Sequence, residues 1–387
     1  MRRGVTGRYR LTAAGGEQVR AFVPAPLPPN PPIVLDGAIQ RVMERALLSL
    51  GRLDAVSQLL PDRRLFLYTY VRKEAVLSSQ IEGTQSSLSD LLLFELAEAP
   101  GAPDEDVVQV SKYVAAMEYG LRRLRDGFPL SNRLIREIHG VLMQDGCGSA
   151  SDLGHFRRSQ NWIGGTRPGN ATFVPPPASE LADAMGALEK FLHNDTMNLP
   201  VLLRAGLEHV QFETIHPFLD GNGRVGRLLI TLHLCQAGML QEPLLYLSLY
   251  LKKHRRIYYD LLTSVRRTGD WESWLLFFLE GVQETADEAV TTAQHLSTMF
   301  DRDREQVLSN GRRAGSALRV LEVLKARPVT SIQLAAARSG LSFPAVGSAL
   351  TLLTELGVTC ELTGRRRNRV FAYTKYLALL NKGTEPA

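Results

Sequence analysis

The sequence is poor in cysteine, and the three cysteines that it has are far apart. Cys147, Cys235 and Cys360 are too few and too widely spaced for a disulfide framework, and their spacing matches no zinc motif. The sequence therefore argues against a small disulfide-stabilised fold and against a structural zinc module. Scattered cysteines in an odd number are typical of a reducing compartment, so we expect a cytoplasmic protein.

Long apolar runs are also missing. The most apolar stretch, residues 228–251, is interrupted by His233, Gln236, Glu242 and Pro243. No run approaches the ~20 residues that a bilayer span needs, and the first residues contain no apolar core of a secretory signal. We therefore expect no membrane span.

The net charge of +5 is unevenly placed. Residues 301–387 contain 14 Lys and Arg against 7 Asp and Glu, whereas residues 1–300 contain 31 against 33. The basic excess belongs to the C-terminal segment, which favours an anionic partner there, nucleic acid first. The alternative is an ordinary solvated surface.

The periodicity predicts a mainly α-helical chain from residue 35 onward, because apolar residues recur at spacings of three and four. Ser131 is a good N-cap for one of these helices. The predicted helices lie at 63–82, 86–98, 106–125, 131–144, 178–193, 199–214, 224–238, 246–267 and 270–295.

Three segments depart from the helical pattern. Residues 1–34 are rich in Pro and Gly and are predicted to form an extended arm. Extended runs around 160–163 and 171–174 flank a turn-rich stretch and predict a β-hairpin, here called the flap segment (residues 160–174). Residues 296–313 are polar and are predicted to be a connector before a separate unit.

The most informative stretch, residues 216–227, has the sequence HPFLDGNGRVGR. Gly221, Asn222 and Gly223 permit a tight turn whose N–H groups converge on one point. Apolar residues follow and predict a helix, whose N-terminus favours an anion. The stretch is therefore predicted to hold phosphate groups.

The charged residues of this stretch extend the prediction. Arg224 and Arg227 are three residues apart and can reach the same side of a helix, which suits a polyphosphate. One carboxylate, Asp220, together with phosphate oxygens suits Mg²⁺. His216 is the nearby group whose pKa suits proton abstraction at neutral pH.

Two other phosphate motifs fit less well. Gly221, Gly223 and Gly226 match the dinucleotide pattern G-x-G-x-x-G, but helical spacing precedes them where that pattern needs a strand. A Walker loop is excluded because no Lys-Ser/Thr pair follows.

The same stretch resembles the signature of Fic-domain (Fido) proteins, His-Pro-Phe-x-Asp-Gly-Asn-Gly-Arg-x-Gly-Arg, at every fixed position. With its flanking segments, the resemblance spans most of residues 35–285. It implies a mainly α Fic-type helical bundle with a β-hairpin flap. It also implies an enzyme, a protein adenylyltransferase that moves AMP from ATP to a Ser, Thr or Tyr hydroxyl and releases pyrophosphate.

The resemblance also implies roles. His216 would deprotonate the acceptor hydroxyl, Asp220 would hold Mg²⁺, Arg227 would bind the γ-phosphate, and Phe218 would anchor the loop in the core. The flap segment would pair with an extended stretch of the target. Tyr258 and Tyr259 fall where the family places adenine contacts. The implied ATP-binding set is Gly221, Asn222, Gly223, Arg224, Val225, Gly226, Arg227, Tyr258 and Tyr259.

Residues 78–83, SSQIEG, resemble the inhibitory motif of the family through Ser78, Glu82 and Gly83. Glu82 is predicted to pair with Arg227 and to displace the γ-phosphate. The alternative is an ordinary helix end with a Gly C-cap. In some members of the family the same Glu supports removal of AMP.

The C-terminal pattern predicts a winged helix-turn-helix domain. Helices are expected at 318–324, 332–338 and 342–356, followed by two strands around a basic loop, 364–369. This domain would bind either DNA or another protein surface. The predicted domains are an arm (1–34), an N-terminal helical region with the inhibitory helix (35–125), the Fic core (126–295) and the winged-helix domain (313–380).

Two further functions stay open at this stage. One is removal of AMP, or transfer of a different phosphate-bearing group, at the same site. The other is a DNA-binding regulator whose Fic body only senses nucleotide. The sequence identifies neither the target protein nor its acceptor residue. The chain itself is one candidate target.

Overall fold

A computed structural model describes residues 3–59, 63–96, 104–144, 153–194 and 198–385. Cys147 lies outside these ranges. The chain divides into two compact units, described separately below. Unit 1 contains residues 1–51, 112–243 and 250–285, and unit 2 contains residues 52–111, 244–249 and 286–387.

Helices dominate both units, as the sequence predicted, and the strands are few and short. Ser131 caps its helix as expected, because its hydroxyl accepts a hydrogen bond from the N–H of Leu134. The helices are α1 (Gly37–Leu59), α2 (Arg63–Glu82), α3 (Leu88–Phe94), α4 (Glu105–Arg125), α5 (Asn132–Leu142), α6 (Leu181–Leu192), α7 (Val201–Ile215), α8 (Asn222–Gln236), α9 (Ser248–Lys253), α10 (Arg255–Thr268), α11 (Trp271–Leu308), α12 (Ala314–Ala326), α13 (Ile332–Ser339), α14 (Phe343–Glu355) and α15 (Thr374–Asn381).

The prediction of an extended arm is wrong for residues 7–24, which form an antiparallel hairpin of β1 (Gly7–Ala14) and β2 (Glu17–Pro24). Gly15 and Gly16 make the two-residue turn with φ values of +55° and +81°, a conformation typical of tight hairpins. Every second residue of β2 from Val19 is buried. The prolines that suggested an arm begin only where β2 ends.

The flap segment takes the predicted course but pairs at a single position. Ile163 and Phe173 form an isolated antiparallel bridge, with N–H···O distances of 2.8 and 3.1 Å. A 3₁₀ turn, Pro168–Asn170, closes the segment. The hairpin β1–β2 lies beside it, because the N–H of Phe22 donates to the carbonyl of Val174 at 2.8 Å.

The centre of unit 1 is the contact between α7 and α8. A Cβ atom on Gly226 would lie 2.6 Å from Glu213 Oε1 and 3.1 Å from Phe212 Cδ1. A glycine at this point of α8 therefore lets its backbone approach α7 closely. This packing places the end of α7 next to the start of α8, where residues 216–221 connect them.

The predicted connector at residues 296–313 is mostly wrong, because α11 continues to Leu308. Leu296, Phe300 and Val307 are buried along one side of this helix, and the charged residues between them hid that stripe in the sequence. Asp303 belongs to the same buried side, where it accepts a hydrogen bond of 2.6 Å from Tyr373 Oη.

In unit 2, the elements predicted at the C-terminus are confirmed. One strand lies between α12 and α13 and two follow α14, and together they form a three-stranded antiparallel sheet in the order β3–β5–β4; Ser331 caps α13. The strands are β3 (Val329–Ser331), β4 (Thr359–Glu361) and β5 (Val370–Tyr373).

The last residues of the described chain pack on α2, which carries the predicted inhibitory motif, and on α3, which follows it. Gln80 Nε2 donates to the carbonyls of Ser86 and Thr384, at 3.0 and 2.9 Å. Asn381 Nδ2 donates to Ser89 Oγ at 2.8 Å. The C-terminal module and α2 therefore belong to one packed body.

Across the described residues, no helix combines the length and apolar character of a membrane span.

Candidate active site

His216 ends α7 as its C-cap residue and adopts a left-handed backbone, with φ 50° and ψ 61°. This conformation is uncommon for any residue other than glycine, and it is found where the surroundings hold it in place. The side chain of His216 is half-buried. The imidazole is therefore neither sealed in the core nor fully exposed, as a general base requires.

Gly221, also left-handed with φ 77°, is the N-cap of α8. A Cβ atom here would lie 3.0 Å from Met143 Sδ, so glycine satisfies both the conformation and the space. The first N–H groups of a helix lack intrahelical acceptors, and in α8 these belong to Asn222, Gly223 and Arg224. The loop thus ends at a helix N-terminus, as the sequence predicted; the binding of phosphate there stays a prediction.

Two residues of the predicted ATP-binding set, Asn222 and Val225, also shape the loop. Asn222 is buried, and its side chain accepts from the N–H of Phe218 and donates to the carbonyl of Phe218, both at 2.8 Å. Val225 is fully buried and its N–H donates to the carbonyl of Gly221 at 3.0 Å. Gly226 provides the close contact with α7 described above.

The charged residues of the loop differ in exposure. Arg224 and Arg227 are buried, whereas the side chain of Asp220 is 68% exposed. Asp220 Oδ1 accepts from the N–H of Gly221 at 2.6 Å, and Oδ2 lies 3.4 Å from Arg224 Nη2. The two buried guanidinium groups therefore lie on the helix that follows the loop, and the one carboxylate, that of Asp220, is exposed to solvent.

His139, on α5, supports this loop, although the sequence analysis assigned no role to it. Its ring stacks on Phe218 with a centroid distance of 3.7 Å and an angle of 2°. Nδ1 accepts from the N–H of Gly154 and Nε2 donates to the carbonyl of Asp220, both at 3.2 Å. Burial lowers the pKa of His139 to about 4, so the ring is neutral at pH 7.

Arg157 and Asn161 hold the other side of the same loop. Arg157 Nε donates to the carbonyl of His216 at 3.0 Å, and Asn161 Nδ2 donates to that of Phe218 at 2.9 Å. The sequence placed Arg157 only within a flanking segment. Arg157 and His216 are 59 residues apart in the sequence, and nothing in that spacing indicated the contact.

The two predicted adenine contacts lie in different surroundings. Tyr258 is fully buried, and its hydroxyl donates to His209 Nε2 at 2.8 Å while His209 Nδ1 donates to the carbonyl of Gly226 at 3.1 Å. Burial lowers the pKa of His209 to about 3. Tyr258 is completely buried and supports α8 through His209. Tyr259, in contrast, is 39% exposed.

The predicted inhibitory residues lie at the end of α2 in unit 2. Ser78 is fully buried, Glu82 is the last helical residue and is exposed, and Gly83 ends the helix with φ +115°. The pairing of Glu82 with Arg227 stays a prediction.

Comparisons with known proteins match this architecture. Residues 40–122 match the Fic/DOC family N-terminal model, and residues 129–234 match the Fic/DOC family model. The chain is 35% identical over 165 residues to a protein named protein adenylyltransferase Fic from Aedes aegypti, covering 42% of this chain and 30% of that protein. It is 30% identical over 173 residues to one of the same name from Drosophila grimshawi, covering 44% and 32%.

The chain thus spans about a third of the length of these relatives. A crystal structure of a Fic family protein from Desulfovibrio desulfuricans G20 superposes with a TM-score of 0.55 at 20% identity, covering 88% of this chain and 97% of that one. The second family model contains the whole loop between α7 and α8. The chain therefore carries the two domains of the Fic/DOC family, at residues 40–122 and 129–234.

Proposed function

We propose that this protein transfers AMP from ATP to a Ser, Thr or Tyr hydroxyl of a target protein. The acceptor oxygen forms a bond to the α-phosphorus while the bond from that phosphorus to pyrophosphate breaks. The proton of the hydroxyl passes to the imidazole of His216. Transfer of this kind depends mainly on positioning and on neutralising phosphate charge, with a base for the nucleophile.

One observation carries the proposal: a half-buried histidine and a helix N-terminus are joined by a short loop of fixed shape. His216 ends α7, Gly221 begins α8, and two buried arginines follow within the first two turns of α8. Relatives named protein adenylyltransferase Fic are 35% and 30% identical to parts of this chain, which supports the proposal. Base and phosphate site are therefore adjacent.

Mg²⁺ fits this site through Asp220. The described residues contain no cluster of three or more His, Cys, Asp or Glu side chains, so a metal here would share its coordination between Asp220 and phosphate oxygens. The exposed carboxylate suits that arrangement. When bound, Mg²⁺ would neutralise phosphate charge, and Arg224 and Arg227 would add theirs.

Labelled nucleotide tests the proposal. We expect the full chain, incubated with Mg²⁺ and α-labelled ATP, to acquire covalent label on itself or on an added protein extract. His216→Ala should abolish the label, and His193→Ala, an exposed histidine at the end of α6, should retain it. Label from γ-labelled ATP instead would indicate a kinase and would contradict the proposal.

We also propose that Glu82 restrains this activity. The proposal rests on the match of Ser78, Glu82 and Gly83 to the family motif and on the exposed position of Glu82 at the end of α2. Glu82→Gly should raise incorporation of α-label, while Glu105→Gly, on another helix of unit 2, should not. Unchanged incorporation in Glu82→Gly would show that there is no such restraint.

A second proposal concerns residues 313–380, which we interpret as a winged-helix module that binds the DNA backbone through its loop. Arg365, Arg366 and Arg367 are exposed in this loop, whereas Arg369 pairs with Glu361 at 2.7 Å. Helix α14 contains no Lys or Arg. The loop, not α14, would therefore supply the phosphate contacts.

Duplex DNA titrated at several salt concentrations tests this second proposal. Replacing Arg365, Arg366 and Arg367 by Ser should reduce the slope of log affinity against log salt by up to about 3, since each lost contact removes about 0.9. Lys375→Ser should change it less. If the full chain shows no salt-dependent binding, the module contacts protein and the DNA proposal fails.

A further inference from the structure

We propose that Arg157 is a positioning residue that fixes the catalytic histidine and both ends of the flap segment with one guanidinium group. The inference rests on the proposed function, because it assigns Arg157 the task of aligning the acceptor hydroxyl with His216.

Each nitrogen of the Arg157 guanidinium group donates to a different backbone carbonyl. Nε donates to His216 at 3.0 Å, Nη1 to Ser159 at 3.0 Å and Nη2 to Pro176 at 2.5 Å. Ser159 immediately precedes the flap segment, and Pro176 lies two residues beyond it. The backbone N–H of Arg157 adds a fourth contact, to the carbonyl of Pro217 at 2.9 Å.

Arg157 is buried, so its guanidinium group interacts with these carbonyls and not with solvent. The residue is 4% exposed, and no acidic side chain in the described ranges forms an ion pair with it. Burial lowers its pKa to about 10, so the group stays charged at neutral pH. A buried cation without a counter-ion is unfavourable unless its hydrogen bonds are satisfied, and here backbone carbonyls satisfy them.

The carbonyl oxygen that accepts from Nε belongs to His216, whose backbone is left-handed although the residue is not glycine. His216 has φ 50° and ψ 61°, and Asn161 Nδ2 lies 3.5 Å from the same oxygen. Such a conformation persists only when the surroundings determine it. Arg157 supplies one of those determinants from outside the loop.

Gln160 also joins the two ends of the flap segment, because its Nε2 donates to the carbonyl of Pro175 at 2.9 Å, but Arg157 joins both ends to His216 as well. The backbone of the flap segment pairs with itself at the bridge between Ile163 and Phe173. A target strand added to the flap segment would carry its hydroxyl in whatever register the ends of the segment set. Because Arg157 holds those ends and His216 together, it would set the distance from hydroxyl to imidazole.

Lysine is the informative replacement, since it retains the charge but offers a single nitrogen where three fixed donors are needed. In a Glu82→Gly background, Arg157→Lys should slow self-incorporation of α-label by about 100-fold, as expected when reacting groups are slightly misplaced. The affinity for a non-transferable ATP analogue should stay within about 3-fold, because α8 and the loop bind the phosphates.

A second readout is independent of activity. Amide hydrogen exchange at Ile163 and Phe173 should be faster in Arg157→Lys than in Arg158→Lys, an exposed neighbour that serves as the control. If exchange and rate both match the control, the inference is overturned. Equal losses of rate, analogue affinity and thermal stability would also overturn it, since they would indicate general unfolding.

The two proposals fail differently. Absence of label with Arg157 intact would refute the adenylyltransferase function, yet the exchange experiment would still decide whether Arg157 holds the flap segment. Normal label in the parent with an unchanged Arg157→Lys rate would refute the inference alone.

Discussion

The loop from His216 to Gly221 and the flap segment both belong to the proposed active site, but different kinds of contact hold them in place. In the loop, side chains from other elements hold the backbone: His139 contacts Asp220, Arg157 contacts His216, and Asn161 contacts Phe218. In the flap segment, the backbone pairs with itself at one bridge, and hydrogen bonds at its ends, from Phe22 to Val174 and from Arg157 to Ser159 and Pro176, support it.

This difference matches what each part would do. A base and a phosphate site gain from rigid geometry, since their partners are the same in every turnover. A segment that accepts varied protein strands gains from an edge that is not already paired. On the proposed function, the more firmly held part would bind the nucleotide and the less paired part would bind the target protein, and four experiments test this contrast.

The largest effect is expected from Phe218→Ala. Phe218 is fully buried in the loop, as the resemblance implied, and stacks on His139. Its truncation should lower the free energy of unfolding by about 3–5 kcal/mol, measured by urea denaturation, and should abolish label incorporation. Phe343→Ala, at a residue that is 58% exposed, should change stability by no more than about 0.5 kcal/mol. Similar losses in both variants would contradict a specially rigid loop.

The next effect concerns acid. The pKa of His139 is about 4 when folded, against an ordinary value of 6.5, because burial disfavours the charged ring. Its stabilising contribution is therefore complete above pH 6.5 and is lost as the pH falls from 6.5 through 4. The loss is on the order of 3 kcal/mol. In His139→Gln, denaturation across this range should depend less on pH, though His209 will retain part of the dependence; the exposed His155→Gln should behave as the parent.

Much of the helical frame follows from local signals. Ser131 and Ser331 cap the predicted helices, and the apolar spacing located α2 and α7 to within two residues at each end. The loop at His216 was equally local, since glycine positions and a following apolar run define it. These features could be predicted because neighbouring residues determine them.

The supports of the site could not be predicted in the same way. His139 and Arg157 act through carbonyls 81 and 59 residues away, and no sequence period records such a partner. His139 lies in the apolar stripe of α5, which was the one available signal that it is buried. The hairpin β1–β2 was missed for a simpler reason: the pair Gly15 and Gly16 is a hairpin signal, but later prolines dominated the composition.

A smaller effect is expected at the support of the flap segment. The guanidinium group of Arg266 lies 4.0 Å from the ring centroid of Phe173, and Phe22 lies 6.1 Å from it. Phe173→Leu keeps an apolar side chain but removes the ring, so about 1–2 kcal/mol of cation–π stabilisation should be lost. Amides of the flap segment should exchange faster while the affinity for an ATP analogue stays unchanged. A matching fall in analogue affinity would show that flap and loop are not separately held.

The smallest effect is expected where the hairpin meets the flap segment through charge. Glu17 Oε1 lies 2.8 Å from Arg167 Nη1, and the two side chains are 30% and 63% exposed. Exposed pairs are screened by water and contribute about 0.2–1 kcal/mol, so a double-mutant cycle of Glu17→Gln and Arg167→Gln should give a coupling in that range that declines as salt is added. A coupling well above 1 kcal/mol would mean that the hairpin grips the flap segment tightly. The segment would then be as firmly held as the loop, and the contrast between them would not stand.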